Sequence, residues 1–185
     1  MTYSFPQLSE DLAGHSARTA ALAVEISAEL GFGTLQQRTV WMAAHLHDVG
    51  KVKVPDSILN LPRPLTEHEQ TQVQKHPELG FLILDGLVAP EIARAVLCHH
   101  ERVDGLGYPF GLAGDRIPRM ARIIAVADAV DAIVSDRVYQ EAQPMPVAVY
   151  ELTSHAGTQF DPHVVDAALR ILAPAMASSD SVAVA

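Results

Sequence analysis

The stretch His45-Leu46-His47-Asp48-Val49-Gly50-Lys51 constrains this chain more than any other, because it puts a His-Asp pair at the end of an apolar helical segment and then turns sharply. Neutral imidazole and carboxylate suit iron, manganese or zinc, and an ionised Asp has two oxygens, so it can span two cations where a single His cannot. His47 and Asp48 therefore read as metal ligands. Taken alone, the pair fits equally well a helix end with a solvated Asp and a hydrogen-bonded His. Further donors do follow: His76, the adjacent His99 and His100, and Asp128 downstream, with His15 upstream, each near a helical segment or its end.

The spacing of apolar residues predicts helices and little else. A first runs from about Gln7 to Leu30 with Gly31 as its stop, carrying His15 and, one turn earlier on the same face, Asp11. A second spans about Leu35 to His47, and Gly50 stands where a helix C-terminus wants a left-handed residue. Lys51 to Leu65, with Pro55, Pro62 and Pro64, reads as loop. Thr66-x-x-Glu69 is a capping box that opens another helix, and His76-Pro77 starts the next. An amphipathic helix from about Pro90 to Glu101 delivers His99 and His100. A long glycine-containing loop follows, Arg102 to Pro118, of a length that in a compact domain is functional or disordered. Arg119 to Ile133 is the most apolar helix. Asp128 interrupts its buried face, where a carboxylate needs a cation as partner. After a polar loop, Ser135 to Pro144, come a helix near Pro146 to Ser154 and a last one with Asp161 as N-cap and Pro162 at its first position. The reading is all-α, with one domain over residues 1–172 and a loose tail from 173 to 185. No strand alternation or internal repeat emerges.

The net charge of -9 argues against duplex nucleic acid or an anionic membrane as partner, since both need a basic face. An anionic substrate would have to be attracted locally, by metal ions. Apolar runs are short and interrupted, and Met1 to Glu10 lacks the regions of a signal peptide, so a cytoplasmic protein without a membrane span is expected. The single cysteine, Cys98, excludes an internal disulfide and reads as a small buried apolar residue rather than a ligand or nucleophile.

With these residues assembled, the chain resembles the HD-GYP family of bacterial cyclic di-GMP phosphodiesterases, a branch of the HD metal-dependent phosphohydrolases. The likeness runs from His15 to about Leu172. It rests on an ordered set of stretches that includes His47-Asp48-Val49-Gly50-Lys51, His76-Pro77-Glu78-Leu79-Gly80, His99-His100-Glu101-Arg102, Asp104-Gly105-Leu106-Gly107-Tyr108-Pro109, Val126-Ala127-Asp128, Ser135-Asp136-Arg137 and Gly157-Thr158-Gln159-Phe160-Asp161-Pro162. The resemblance implies an HD-type helical bundle with two or three divalent transition metals, usually iron or manganese. His15, His47, Asp48, His76, His99, His100 and Asp128 are then the ligands, with Asp48 as the bridge. Asp11 stands where members with a third metal carry an acidic residue, commonly Glu, so a bi- or trinuclear centre is left open. Lys51 matches the lysine that faces the scissile phosphate, and Arg137 a phosphate-contacting arginine. Gly107-Tyr108-Pro109 matches the signature loop that shapes the substrate pocket, with Tyr108 bordering a guanine.

The implied activity is hydrolysis of cyclic di-GMP to linear pGpG, or onward to GMP, by a metal-bridged hydroxide, with Asp48 and Lys51 in the catalytic set. Two cations about 3.5 to 4 Å apart activate a water and clamp the phosphoryl oxygens, so no side-chain nucleophile is needed. Gln140 departs from the family, which often has a basic residue there, and motivates a second reading: an HD phosphohydrolase for another cyclic nucleotide. A third is a binding or scaffold protein that contacts a diguanylate cyclase through the Gly107-Tyr108-Pro109 loop. Only fourteen residues precede His15, so no sensory domain is expected ahead of it, and regulation would come from a partner, a homodimer interface or expression.

Overall fold

Small buried side chains set how the helices meet. The computed structural model describes residues 10–59, 61, 63–136 and 141–179. Ala20, Ala23 and Ile26 of α1 (Glu10–Glu29) lie buried against Val40, Ala43 and Ala44 of α2 (Thr34–Leu46). Short side chains at such a contact let helix axes approach to the close end of the usual range, about 8 Å. The same core takes in Ile123, Ile124, Ala127 and Val130 of α7 (Arg119–Val134), Ala148 and Leu152 of α8 (Met145–Ser154), and Val164, Val165 and Ala168 of α9 (Pro162–Ser179). α7 touches α1, α2, α6, α8 and α9 and is the pillar of the bundle. Truncating one of its buried isoleucines would cost about 2 to 5 kcal/mol.

A smaller core of Val49, Leu84, Ala93 and Val96 packs the turn after α2 against α5 (His76–Leu84) and α6 (Pro90–Cys98). A third, Cys98, Ile117 and Ala121, ties the end of α6 to the start of α7 and buries the cysteine as expected. Among the described residues the only extended pairings are two isolated bridges, so the all-α expectation holds. No described helix is long and apolar enough to cross a membrane.

Local signals place most boundaries. Gly31 takes a φ of +79° and stops α1. In the capping box before α4 (Glu67–Val73), Thr66 Oγ1 accepts from the Glu69 amide at 3.3 Å while the Thr66 amide donates to Glu69 Oε2 at 2.8 Å. Asp161 Oδ1 accepts from the His163 amide at 2.9 Å, as an N-cap should. Two expectations are corrected. Lys51 to Leu65 is not all loop: a 3-10 turn covers Val49–Lys53, and α3 (Asp56–Leu59) follows, because the Pro55 carbonyl accepts from Ile58 and Leu59 at 2.8 and 3.2 Å and starts a helical turn. Gly50 is not a left-handed cap. It lies within the 3-10 turn, where a Cβ would collide with the backbone of His76 and Gly80, so glycine is required for close approach.

Candidate metal centre

Three helix ends deliver three histidines in the same way. His47, His76 and His99 each follow or open a helical turn, and each Nδ1 lies against the carbonyl three residues back: Ala44 at 2.6 Å, Val73 at 2.7 Å and Val96 at 2.6 Å. A carbonyl can only accept, so Nδ1 carries the proton and Nε2 is left as a lone pair. His15, on α1, is set differently. Its Nδ1 lies 2.6 Å from Asp131 Oδ2, and Asp131 is itself held by Arg18 Nε at 2.6 Å and Nη2 at 3.1 Å.

These lone pairs converge. Ligand atoms of His15, His47 and Asp48 lie within 4.8 Å of one another, and those of His76, His99 and His100 form a second such group. Asp48 spans the two: Oδ2 faces His47 Nε2 at 3.4 Å and His15 Nε2 at 3.8 Å, while Oδ1 faces His76 Nε2 at 3.3 Å. Asp128 Oδ1 approaches His15 Nε2 at 3.1 Å and His47 Nε2 at 3.9 Å. His76 Nε2 and His99 Nε2 stand 3.2 Å apart with both ring protons engaged elsewhere. His47 Nε2 and Asp48 Oδ1 are buried and accept no hydrogen bond.

The surrounding charge divides the site. For His15, burial opposes the charged form, but the hydrogen bonds to Asp128 and Asp131 outweigh it and hold the imidazole up to about 9. His47 is likewise raised, burial being outweighed by the Asp48 charge. On the other side burial pushes His76 down, His99 well down with help from its imidazole neighbours, and His100 to about 4. Asp48 and Asp128 stay ionised: against burial, Lys51 and His47 lower the first, and the His15 hydrogen bond lowers the second.

Lys51 Nζ sits 2.5 Å from Asp48 Oδ2 with its side chain 23% exposed. Tyr108 stacks on His100, ring centroids 4.8 Å apart and 24° between planes. Tyr108 and His100 border a cavity of about 370 Å³ that also reaches His99, Asp128, Arg102 and Gln159. Asp11 falls within α1 but its side chain lies outside the described residues, as do Arg137 and Gln140 altogether. His45 is no part of the cluster; it stacks on Trp41 at 4.8 Å.

Two residues that sequence reasoning missed organise the site. Asp131 orients His15, and its signal was the i,i+3 spacing from Asp128, matched by Arg18 three residues after His15. Glu101 is buried, and its Oε1 and Oε2 accept from the amides of Phe110 and Leu112 at 2.8 and 2.9 Å. It pins the 102–118 loop directly behind the His99-His100 pair. Gly107 completes the packing, since a Cβ there would strike the backbone of His100, Glu101 and Arg102.

The model of the HD domain family matches residues 7–164. The chain is 45% identical over 156 residues to the cyclic di-GMP phosphodiesterase response regulator RpfG of Xanthomonas campestris pv. campestris, covering 83% of this chain and 41% of that protein. It is 38% identical to the 3'3'-cGAMP-specific phosphodiesterase 3 of Vibrio cholerae, covering 81% of this chain and 33% of that protein. In structure it resembles Bd1817, an HDG"Y"P protein from Bdellovibrio bacteriovorus, with a TM-score of 0.72 at 19% identity over 87% of this chain and 52% of that one. The chain belongs to the HD domain family. It spans less than half the length of these two curated relatives.

Proposed function

We propose that this protein is a metal-dependent phosphodiesterase that opens cyclic di-GMP to linear pGpG, with GMP as the product if the linear dinucleotide is cut again. The observation that carries this is Asp48, whose two carboxylate oxygens face different histidine groups across a buried set of lone pairs. His15, His47, Asp48, His76, His99, His100 and Asp128 would hold iron or manganese, which would supply the Lewis acidity to activate water and neutralise the phosphoryl oxygens. The chain does the rest. Asp131 and the carbonyls of Ala44, Val73 and Val96 hold the imidazoles in the ligating tautomer. Lys51, beside Asp48, carries a positive charge toward the place where phosphoryl charge develops. Burial excludes bulk water from His47, His76 and His99.

A second reading is favoured by the likeness to a protein named as specific for 3'3'-cGAMP: the same centre acting on a mixed cyclic dinucleotide. Exposed Leu106 and Phe110 beside Tyr108 are the surface through which a protein partner would meet this loop. Metal analysis of anaerobically purified protein, with nucleotide chromatography after incubation with cyclic di-GMP, tests the proposal. Two or three metals per chain and turnover that disappears in His47→Ala support it; well-metallated protein that leaves cyclic di-GMP intact while cleaving 3'3'-cGAMP transfers the assignment to the second reading.

A further inference from the structure

Next to the cavity beside the metal cluster lies a second of about 280 Å³ between α7 and α8, bordered by Ala132, Ile133, Gln143 and Glu151. Ala129, Gln159 and Phe160 border both. At this shared wall Gln159 has no freedom of orientation. Arg102 Nη1 lies 2.8 Å from Gln159 Oε1, and a guanidinium can only donate, so the oxygen is committed to Arg102 and the Nε2 hydrogens are left for another partner. Arg102 is itself fixed by Asp104, through Nε to Oδ1 at 3.1 Å and Nη2 to Oδ2 at 2.7 Å. The two segments are joined by their backbones, Asp104 N to Thr158 O at 2.9 Å and Val103 N to Gln159 O at 3.4 Å. Arg102 and Gln159 both line the cavity that reaches Asp128 and His100, and the Gln159 Nε2 hydrogens are the donors its Arg102 contact leaves over.

We propose that Gln159, locked by Arg102 and Asp104, is a specificity-determining residue that selects guanine over adenine beside the metal centre. This rests on the phosphodiesterase reading above. Guanine presents two acceptors on one edge, O6 and N7, whereas adenine presents the N7 acceptor with an N6 amino donor. A donor wall matches the first edge and meets the second donor to donor at position 6. A freely turning glutamine would offer either end to either base; the Arg102 contact removes that choice.

The test is Gln159→Glu, which keeps the shape and the Arg102 contact but offers the base an acceptor, beside Gln159→Met, which offers neither. Isothermal titration of the metal-loaded protein with GMP and with AMP gives a binding ratio, and kcat/KM for cyclic di-GMP against cyclic di-AMP gives a kinetic one. Wild-type protein should prefer the guanine ligand, and Gln159→Glu should lower both ratios by about tenfold or more, with Gln159→Met between them. A wild-type ratio near one, or ratios that Gln159→Glu leaves unmoved, overturns the inference. Wild-type protein that cleaves neither cyclic di-GMP nor bis(p-nitrophenyl) phosphate overturns the phosphodiesterase reading instead, and the GMP to AMP binding ratio still decides the role of Gln159.

Discussion

The two halves of the cluster are built on different principles. The His15, His47 and Asp48 half is polarised by carboxylates: Asp128 and Asp131 flank His15, and its imidazole is held up to about 9. The His76, His99 and His100 half is neutral, its two deepest rings fixed by backbone carbonyls and its third stacked on Tyr108, with His100 held down to about 4 by burial. The first half is charged to attract cations, and the second offers lone pairs without a charge of its own. Asp48 is the residue that belongs to both.

Breaking that shared residue should have the largest effect. Asp48→Asn removes the charge that faces both halves, and turnover should fall by about 10³-fold with loss of bound metal, measured by elemental analysis and nucleotide chromatography. Equal loss of turnover with full metal content would show that the halves bind independently. Asp131→Asn acts on one half only. It should weaken metal affinity there by about 10- to 100-fold, read by competition with a chromophoric chelator, while leaving the tighter-binding stoichiometry of the other half in place.

Titration should separate the halves further in chelator-treated protein. His15 is raised to about 9 from 6.5, so its contribution to stability is complete below pH 6.5 and is lost as pH rises through 9. His100 is lowered to about 4 from 6.5, so the folded state loses stability as pH falls from 6.5 towards 4. The melting temperature should therefore peak near pH 6.5 and fall on both sides. Metal should flatten the dome, and a monotonic profile without metal would contradict the division. The last check leaves the metal ligand set untouched and concerns Cys98, just before His99. Burial pushes its thiol up to about 11, so native protein at pH 8 should react with a thiol reagent about 10² or more times slower than unfolded protein.

What the sequence made readable was chemistry of residue type. Histidines and aspartates in motif order pointed to a cluster of side chains able to hold metal, and apolar spacing pointed to the helices that carry it. Partnership across the fold was not readable. Asp131 meets His15 over a separation of 116 residues, and its i,i+3 spacing from Asp128 puts it on the right face without naming that partner. Glu101 was legible as part of a motif, but its task depends on where the amides of Phe110 and Leu112 return. Gly50 was noticed for the wrong reason, because the collision it avoids comes from α5, a distant stretch of chain. The prolines near residue 55 were read as breakers when one of them starts α3.

Glu101 also sets where this protein can tolerate change. Its side chain grips the loop at residues 110 and 112, and Gly107 is wedged against the backbone of His100, Glu101 and Arg102, so the loop has no slack over that span. Length variation and grafted peptides should be tolerated best beyond the grip, around the turn at Gly114–Arg116, where Asp115 is exposed. A lineage that needed a new recognition surface could lengthen the chain there while the spacing of His99 and His100 from Tyr108 stayed unchanged.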